Sequence, residues 1–142
     1  MGKALVIVCH GSKSKKSSQE IKSLLAKIKK INQNIAREKG EVPDDRTNKE
    51  NYFEIAAAFL EFADPQLEKT VQSLYQNGIK NLDILPLFIF AGYHLCQDLP
   101  QRLEKLEVEL TGLNYKILNH PAHYDDFASY IFDKALSEIS KT

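Results

Sequence analysis

The stretch ALVIVCHGS, residues 4–12, decides the fold that we expect for this chain. It begins with six apolar residues and continues into His10 and Gly11. Buried parallel strands have continuous apolar sequences of this kind. Open α/β sheets bind ligands just beyond the carboxyl ends of their strands. The stretch therefore predicts a buried strand that brings His10 to a ligand-binding edge.

A second histidine, His94, also follows an apolar run and is preceded by Gly92 and Tyr93. Strand and helix patterns alternate four times, which predicts a parallel sheet with helices on both faces. The strands are predicted at Ala4–Cys9, Tyr52–Phe62, Leu82–Phe90 and Tyr115–Leu118. With the strand order 2-1-3-4, the topological switch point lies between the first and third strands. Because His10 and His94 leave these two strands, we expect their side chains to meet.

Helix boundaries follow from capping patterns and apolar periodicity. Ser17 and Glu20 have capping-box spacing and predict the start of the first helix. Its inward stripe is predicted to be Ile21, Leu24, Leu25, Ile28, Ile31 and Ile35. Asp64-Pro65 predicts a second start with Asp64 as N-cap, and Asp98-Leu99-Pro100 predicts a third. A last helix carries Phe127, Tyr130, Ile131 and Ala135, and the polar segment 32–51 is predicted to be a surface excursion.

The amino-acid composition narrows the range of functions that this protein can have. The 142 residues predict one domain, and 43 % hydrophobic and 27 % charged residues are typical of a globular protein. Lys+Arg and Asp+Glu are both 19, so no net field favours nucleic acid or an anionic membrane. No apolar run approaches the ~20 residues of a membrane span. Two cysteines without a C-x-x-C pair, and no room for a signal peptide before the first strand, predict a cytoplasmic protein.

The two strand-end histidines are the first candidates for chemistry. A neutral imidazole can ligate a divalent metal or accept a proton near pH 7, because its unperturbed pKa is about 6.5. For two histidines at a switch point we favour this role over simple capping of the strands. Glu61 ends the second strand and is a candidate metal ligand or proton acceptor, although a solvated charge is the alternative. His120 and His123 follow the fourth strand, where we expect exposed loop histidines.

The loop after His10 is a candidate anion site. Gly11, Ser12 and Lys13 lead into a helix N-terminus, where amides, hydroxyls and ammonium groups suit carboxylates or phosphates. The loop is neither a P-loop nor a G-x-G-x-x-G motif, so we expect no Walker-type nucleotide binding. Tyr93 is placed to stack on a planar ligand or to pack against its own loop. The two cysteines, Cys9 and Cys96, are more typical of small hydrophobic residues than of metal ligands.

Three stretches in this order resemble the short form of the sirohydrochlorin chelatases, the class II chelatases of cobalamin and sirohaem synthesis. They are LVIVCHGS at 5–12, AFLEFADPQL at 58–67, and LPLFIFAGYH at 85–94 continuing to DLP at 98–100. The resemblance implies a flavodoxin-like, three-layer α/β domain. It also implies that His10 and His94 handle the metal and the pyrrole protons, with Glu61 as their acidic partner. Longer family members contain two such halves, so the resemblance implies a homodimer.

The activity implied by the resemblance is insertion of Co²⁺ or Fe²⁺ into sirohydrochlorin, with release of two protons. No organic cofactor is expected, and the divalent metal (Co²⁺, Fe²⁺ or Ni²⁺) is a substrate whose identity imidazole and carboxylate ligands do not decide. Gly11, Ser12 and Lys13 would pair with the carboxylates of the substrate, and Gly92 and Tyr93 would hold the ring. Two features depart from the family: the long 32–51 segment, and Tyr93 where a smaller or basic residue is expected.

Two other functions remain open. A non-catalytic carrier of metal or tetrapyrrole needs the same ligands. A phosphotransfer enzyme would form phosphohistidine at His10 and use the Ser/Lys loop as a phosphate cradle. That second alternative ranks low, because the chain contains only three arginines, Arg37, Arg46 and Arg102.

Overall fold

Strands and helices alternate through residues 2–39 and 51–140, which are the part of the chain described by a computed structural model. The elements are β1 (Lys3–Cys9), α1 (Lys15–Lys39), β2 (Glu54–Phe59), α2 (Leu67–Gln76), β3 (Asn81–Pro86), a π-helix (His94–Asp98), α3 (Leu99–Glu109), β4 (Asn114–Ile117), a 3-10 turn (Pro121–His123) and α4 (Asp125–Ser140). The four strands form a parallel sheet in the order β2-β1-β3-β4, which confirms the predicted topology.

Two apolar layers cover the sheet because alternate residues of each strand point to opposite faces. On one face, Leu5 and Ile7 of β1 belong to a cluster with α1. On the other face, Val6 and Val8 belong to a larger cluster with α2 and α3. Leucines such as Leu103 are fully buried there, and burial of each contributes about 2 kcal/mol to stability. The centre of this core therefore lies around β1, the strand that carries His10.

The second and third strands are shorter than predicted. β2 ends at Phe59 instead of residue 62, because Phe62 adopts a left-handed turn with φ 62°. β3 ends at Pro86 instead of residue 90. Its neighbour β1 ends at Cys9, so the residues after the Leu87 N–H···O=C Val8 hydrogen bond (2.8 Å) have no strand beside them. Both strands thus end early enough for the loops that follow them to form this edge of the sheet.

Two predicted helix starts are wrong. α1 begins at Lys15 rather than near Ser17, since the Ser14 hydroxyl accepts the Ser17 N–H (3.5 Å) and the Ser14 carbonyl accepts the Ser18 N–H (3.2 Å). Ser17 is therefore inside the first turn and is not a cap. α2 begins at Leu67 with Gln66 as N-cap, so the predicted N-cap Asp64 lies in the preceding loop.

The prediction of a surface excursion at residues 32–51 is wrong for the first eight of these residues. Residues 32–39 continue α1 to Lys39. Asn32 is tied to the chain before β2, because its side chain donates to the Tyr52 carbonyl (2.8 Å) and accepts the Tyr52 N–H (2.7 Å). The middle of the predicted excursion, residues 40–50, lies outside the described residues.

The last helix departs from the pattern of the others. α4 spans Asp125–Ser140 and buries none of its residues, although it carries the apolar residues Phe127, Tyr130, Ile131 and Ala135. Two residues of the predicted α1 stripe are also exposed, Leu24 by 40 % and Ile31 by 59 %. Among the described helices, none has the length and apolar character that a membrane crossing requires.

The two cysteines differ in environment, which predicts selective alkylation. Burial raises the pKa of the Cys9 thiol to about 11, whereas Cys96 is exposed. Because the thiolate is the reactive form, we expect iodoacetamide to modify the folded protein once, at Cys96. A second adduct at Cys9 should require unfolding. Peptide mass spectrometry of native and urea-treated samples checks this, and labelling of Cys9 in the native sample would contradict the fold.

Candidate metal centre

Loops that follow three neighbouring strands bring His10, Glu61 and His94 together. Nε2 of His10 lies 3.1 Å from Nε2 of His94 and 3.6 Å from Oε2 of Glu61. Nε2 of His94 lies 4.0 Å from Oε1 of Glu61. The possible ligand atoms of the three residues all lie within 4.8 Å of one another. The three residues predicted from strand ends therefore form one cluster at the switch point of the sheet.

Backbone hydrogen bonds hold two of these residues in register. The Leu60 N–H donates to the Cys9 carbonyl (3.1 Å), and the Glu61 N–H donates to the His10 carbonyl (2.9 Å). These bonds continue the pairing of β1 with β2 beyond the ends of both strands. Gly11, with φ 103°, then turns the chain in a conformation that residues with a side chain rarely adopt. The separation of His10 and Glu61 is thus set by the backbone of the sheet.

Hydrogen bonds at the Nδ1 atoms determine what the two imidazoles present to the cluster. Nδ1 of His94 lies 3.1 Å from Oδ2 of Asp98, and Nδ1 of His10 lies 3.2 Å from the Gly11 carbonyl. A carboxylate and a carbonyl oxygen accept only, so hydrogen on both Nδ1 atoms would satisfy these two contacts and would leave the lone pair of a neutral ring on Nε2.

Two lone pairs that face each other at 3.1 Å repel unless a proton or a cation lies between or beside them. Two cis ligands at ~2.1 Å from one metal ion are about 3 Å apart, so the observed separation suits a shared metal. The carboxylate of Glu61 adds negative charge on the same side. The arrangement is therefore suited to hold a divalent cation or a proton.

The cluster is open to solvent. The exposed fractions of the side chains are 45 % for His10, 44 % for Glu61 and 28 % for His94. Structural metal sites are closed by four protein ligands, whereas sites that exchange a ligand keep open positions. Three ligands at this open edge would therefore leave coordination positions of a bound ion free for water or another ligand.

A chain of polar contacts positions His94. Asp98, one helical turn after His94, lies 3.6 Å from Nη1 of Arg102. The Arg102 guanidinium donates two hydrogen bonds to Glu68 of α2 (2.7 and 2.6 Å) and a third to the Leu60 carbonyl (3.0 Å). Arg102 lowers the pKa of Glu68 through these hydrogen bonds. One guanidinium thus ties the partner of His94 to the residue that precedes Glu61.

Loss of the carboxylate charge at Asp98 should weaken metal binding. We expect Asp98→Asn to lower the affinity for Co²⁺ about 10–100-fold, because the amide no longer orients and polarises His94 as a carboxylate does. Isothermal titration with Co²⁺ measures the change. The matched control is Glu109→Gln, an exposed carboxylate at the end of α3, which should bind Co²⁺ like the unchanged protein. Equal affinities for both variants would exclude a positioning role for Asp98.

Exposed aromatic residues flank the cluster. The Phe62 ring centroid lies 6.1 Å from that of His10, and the Tyr93 centroid lies 5.6 Å from that of His94. Phe62, Tyr93 and Phe90 are 57 %, 64 % and 75 % exposed. Exposed aromatic residues next to polar side chains are common at binding sites, and aromatic faces stack on flat rings. The surroundings of the cluster therefore suit a planar, largely apolar ligand.

The other residues predicted for the site occupy different positions around it. Ser12 and Lys13 line a groove of about 710 Å³ along the outer edge of β2. Lys13 also lies over the Phe62 ring, with Nζ 5.4 Å from its centroid. A Cβ at Gly92 would meet nothing within 4 Å, so this backbone faces open space. The ring centroids of His120 and His123 lie 6.3 Å apart, and both residues lie outside the three-residue cluster.

Sequence reasoning missed Asp98 and Arg102 as parts of the site. From the sequence, Asp98 is placed at the start of a helix and in a stretch that resembles the family, without a role in the site. Arg102 is mentioned there only as one of three arginines. The spacing of four residues from His94 to Asp98, and again from Asp98 to Arg102, is a signal for contact along a helix. The contribution of Phe62 had no comparable signal, because its exposure depends on the left-handed turn.

The CbiX family model matches residues 4–136 of the chain. Relatives named sirohydrochlorin cobaltochelatase include one from Sulfurisphaera tokodaii, 27 % identical over 92 residues that span 64 % of this chain and 72 % of the relative. Another, from Methanococcus aeolicus, is 27 % identical over 106 residues, 75 % of this chain and 62 % of the relative. A sirohydrochlorin ferrochelatase from Priestia megaterium is 25 % identical over 103 residues, 72 % of this chain and 32 % of the relative.

Two solved structures show the same fold. The crystal structure of a CbiX protein from Marinobacter aquaeolei, assigned to cobalamin biosynthesis, superposes with a TM-score of 0.71 at 23 % identity and covers 99 % of both chains. The sirohydrochlorin chelatase SirB from Bacillus subtilis subspecies spizizenii, in complex with cobalt, superposes with a TM-score of 0.67 at 20 % identity. That match covers 85 % of this chain and 44 % of SirB, so this chain spans less than half of the longer protein.

Proposed function

The chain belongs to the CbiX family, and we propose on this basis that it inserts Co²⁺ or Fe²⁺ into sirohydrochlorin. The single observation that carries the proposal is the cluster of His10, Glu61 and His94, with ligand atoms within 4.8 Å at an open sheet edge. The names of the relatives, which include both cobalt and iron chelatases, support this reaction. We propose further that residues 1–142 form one domain and act in the cytoplasm.

The metal is a substrate that the cluster holds before transfer. We propose that the Nε2 lone pairs of His10 and His94 bind the ion, with a carboxylate oxygen of Glu61 as third ligand. Imidazole nitrogen is a borderline donor and carboxylate oxygen is a hard donor, and both bind Co²⁺ and Fe²⁺. Because three ligands leave the remaining coordination positions to water, the ring nitrogens can replace these waters one at a time. The half-exposed cluster allows this exchange without unfolding of the site.

Two protons must leave the ring when the metal enters. A divalent ion replaces two pyrrole N–H hydrogens, so the balanced reaction releases two protons for each metal inserted. We propose that Glu61 accepts one proton and that an imidazole freed from the metal accepts the other. Both groups are exposed enough to pass protons to water. This use of the same residues as ligands and then as bases needs no organic cofactor.

The substrate is held by its edges and its face. We propose that Lys13 and Ser12, together with the backbone at Gly11, bind carboxylates of the ring periphery. Tyr93 and Phe62 would contact the face of the ring on either side of the cluster, and the open space at Gly92 admits it closely. The departure at Tyr93 from the expected smaller or basic residue thus gives this chain an extra aromatic contact.

We propose that the active form is a homodimer. The site covers only one side of a planar ring, and this chain aligns with less than half of the longer chelatase. A second copy supplies an equivalent half, and the exposed aromatic residues around the cluster are suited to be covered by ligand and partner together.

The test is to mix the purified protein anaerobically with sirohydrochlorin and Co²⁺, and separately with Fe²⁺, and to follow the visible spectrum of the ring. Conversion faster than without protein, lost in His94→Ala but kept in His120→Ala, supports a chelatase and ranks the metals. A stoichiometric spectral shift without turnover would instead assign a carrier. Absence of any spectral response, together with acid-labile phosphate on His10 after incubation with phosphodonors, would assign the phosphotransfer alternative.

A further inference from the structure

The groove of about 710 Å³ beside β2 lies along one side edge of the sheet, and we call it the edge groove. β2 is the outermost strand, and α1 and α2 pack on opposite faces of the sheet beside it. Because no described strand lies beyond β2, its outer edge and the two helices together form the groove. Pockets for small ligands have volumes of roughly 300–1,000 Å³. The edge groove therefore has room for a small organic ligand.

Part of the groove lining is apolar. Ile21 and Leu25 of α1 line the groove together with Ala57 and Phe59 of β2. The two α1 residues are half-buried, so each leaves part of its side chain uncovered. Ligand pockets combine an apolar lining with a small number of placed polar groups. This part of the lining suits a ligand with a flat, apolar body.

Positive charge is concentrated around the edge groove. Its lining includes two acidic residues and four lysines, which are Lys13, Lys22, Lys29 and Lys69. In the whole chain, by contrast, cationic and anionic side chains are equal in number, at 19 each. None of the ion pairs within residues 2–39 and 51–140 involves these four lysines. A cleft lined by one sign of charge attracts ligands of the opposite sign. The edge groove is therefore suited to an anionic ligand.

The edge groove is continuous with the candidate metal centre. Phe62 lines the groove, and its ring centroid lies 6.1 Å from that of His10. Lys13 lines the groove as well, with Nζ 5.4 Å from the Phe62 centroid. Lys29 marks the other end, since it lies ~20 Å along α1 from the start of that helix, at 1.5 Å per residue. A ligand beside Lys29 is thus distinct from one bound at the cluster, although one surface joins the two positions.

We propose that the edge groove is a second binding site for the polycarboxylate tetrapyrrole, which docks there before it reaches the metal centre. The proposal rests on the proposed function, because that function supplies a ligand with a flat, apolar body and carboxylates at its rim. The body matches the apolar lining. The carboxylates match lysines on both walls, Lys22 and Lys29 on α1 and Lys69 on α2.

The character of these contacts suits a docking site. All four lysines are exposed, and exposed ion pairs contribute only about 0–1 kcal/mol each. Several of them together hold the ring, yet each pair breaks and forms again easily. Clefts with a focused charge also raise the rate at which ligands of the opposite charge arrive. The edge groove therefore collects the ring without holding it too tightly for transfer.

Carbodiimide coupling locates the docked ring. The probe is uroporphyrin, a metal-free polycarboxylate tetrapyrrole, and a water-soluble carbodiimide joins its carboxylates to nearby lysine amines. Peptide mass spectrometry should find adducts at Lys22 and Lys29. Lys27 and Lys30 are exposed on the same helix but do not line the groove, so they should carry no adducts above background. Equal coupling at all four lysines would indicate random surface reaction and would overturn the proposal.

Charge reversal measures the contribution of the groove to affinity. We expect Lys22→Glu/Lys29→Glu to raise the Kd for uroporphyrin about 10-fold in a fluorescence titration, because two ion pairs become two repulsions. Lys27→Glu/Lys30→Glu makes the same change of net charge on the same helix and should bind like the unchanged protein. All four positions are exposed, so both variants should keep the circular dichroism spectrum of the unchanged protein. Equal affinities of the two double variants would exclude the groove as a binding site.

Steady-state insertion of Co²⁺ separates this inference from the proposed function. Lys22→Glu/Lys29→Glu should raise KM for sirohydrochlorin and leave kcat unchanged, because these lysines act on the ring before the chemical step. Uroporphyrin adducts in the groove together with an unchanged KM would show that the docked ring does not lead to insertion, and would overturn the docking step. An unchanged protein without insertion activity overturns the proposed function. In that case the coupling and the titration still decide whether the groove binds the ring.

Discussion

Metal insertion by His10→Ala is expected to fall at least about 100-fold, while the variant still binds sirohydrochlorin. The imidazole is both the closest ligand to the other two members of the cluster and a candidate base, and loss of a positioned base alone costs about 10²–10⁴-fold in rate. Binding of the ring should persist because the aromatic contacts and the Lys13 loop remain. Anaerobic spectroscopy with Co²⁺ measures the rate, and titration of the ring without metal measures the affinity.

His120→Ala is the matched control for this experiment. It removes an imidazole at the same edge of the sheet but outside the cluster, so the rate should be unchanged. Full activity in His10→Ala would sink the proposed metal centre, whatever the behaviour of the control. Equal loss in both variants would indicate a general effect of histidine removal on folding.

Gly11→Ala is expected to lower the stability of the fold by about 3 kcal/mol or more, because a strained backbone and a steric overlap act together. The φ of 103° disfavours any residue with a side chain. The added Cβ would also overlap the Glu61 carbonyl oxygen and lie 2.9 Å from the Glu61 carbonyl carbon. The Glu61 N–H···O=C His10 hydrogen bond holds the two backbones together at this point, so relief of the overlap strains it. The loops that carry two members of the cluster must then separate.

Thermal unfolding followed by circular dichroism measures this change, and a fall in Tm of roughly 6–12 °C corresponds to it for a chain of this length. The control is Gly92→Ala, since a Cβ there meets nothing within 4 Å and Gly92 has no positive φ. Its Tm should match that of the unchanged protein. An unshifted Tm for Gly11→Ala would mean that the close approach of the two loops is not a feature of the folded protein.

Much of the fold was predictable because its signals are local. A continuous apolar run identified the first strand, and the alternation of strand and helix patterns predicted the other three and their parallel sheet. The order 2-1-3-4 was a further prediction, and the structure confirms it. The ends of the strands were less predictable. The end of β2 depends on the left-handed turn at Phe62, and the end of β3 depends on where β1 stops beside it. The residues at the ends of β2 and β3 carry no sequence signal for either the turn or the end of the neighbouring strand.

The candidate site is also predictable in some of its features and not in others. The strand-end rule brought His10, Glu61 and His94 to one edge, and the structure places them together. Their roles stay predictions. The link through Asp98 and Arg102 was missed because it joins four elements through one guanidinium, and the sequence contains only its helical spacing.

The amino-acid sequence alone determines the sheet topology and the set of polar residues at the ligand-binding edge. Both follow from the spacing of the apolar residues, the order of the strands and the direction of the chain. The tertiary structure alone decides three further properties: the 3.1 Å approach of the two imidazoles, the anchoring of His94 through Asp98, and the exposure of α4. Distances, hydrogen-bond partners and burial depend on contacts between residues far apart in the chain. Such contacts are absent from any local pattern, so they exist only once the chain has folded.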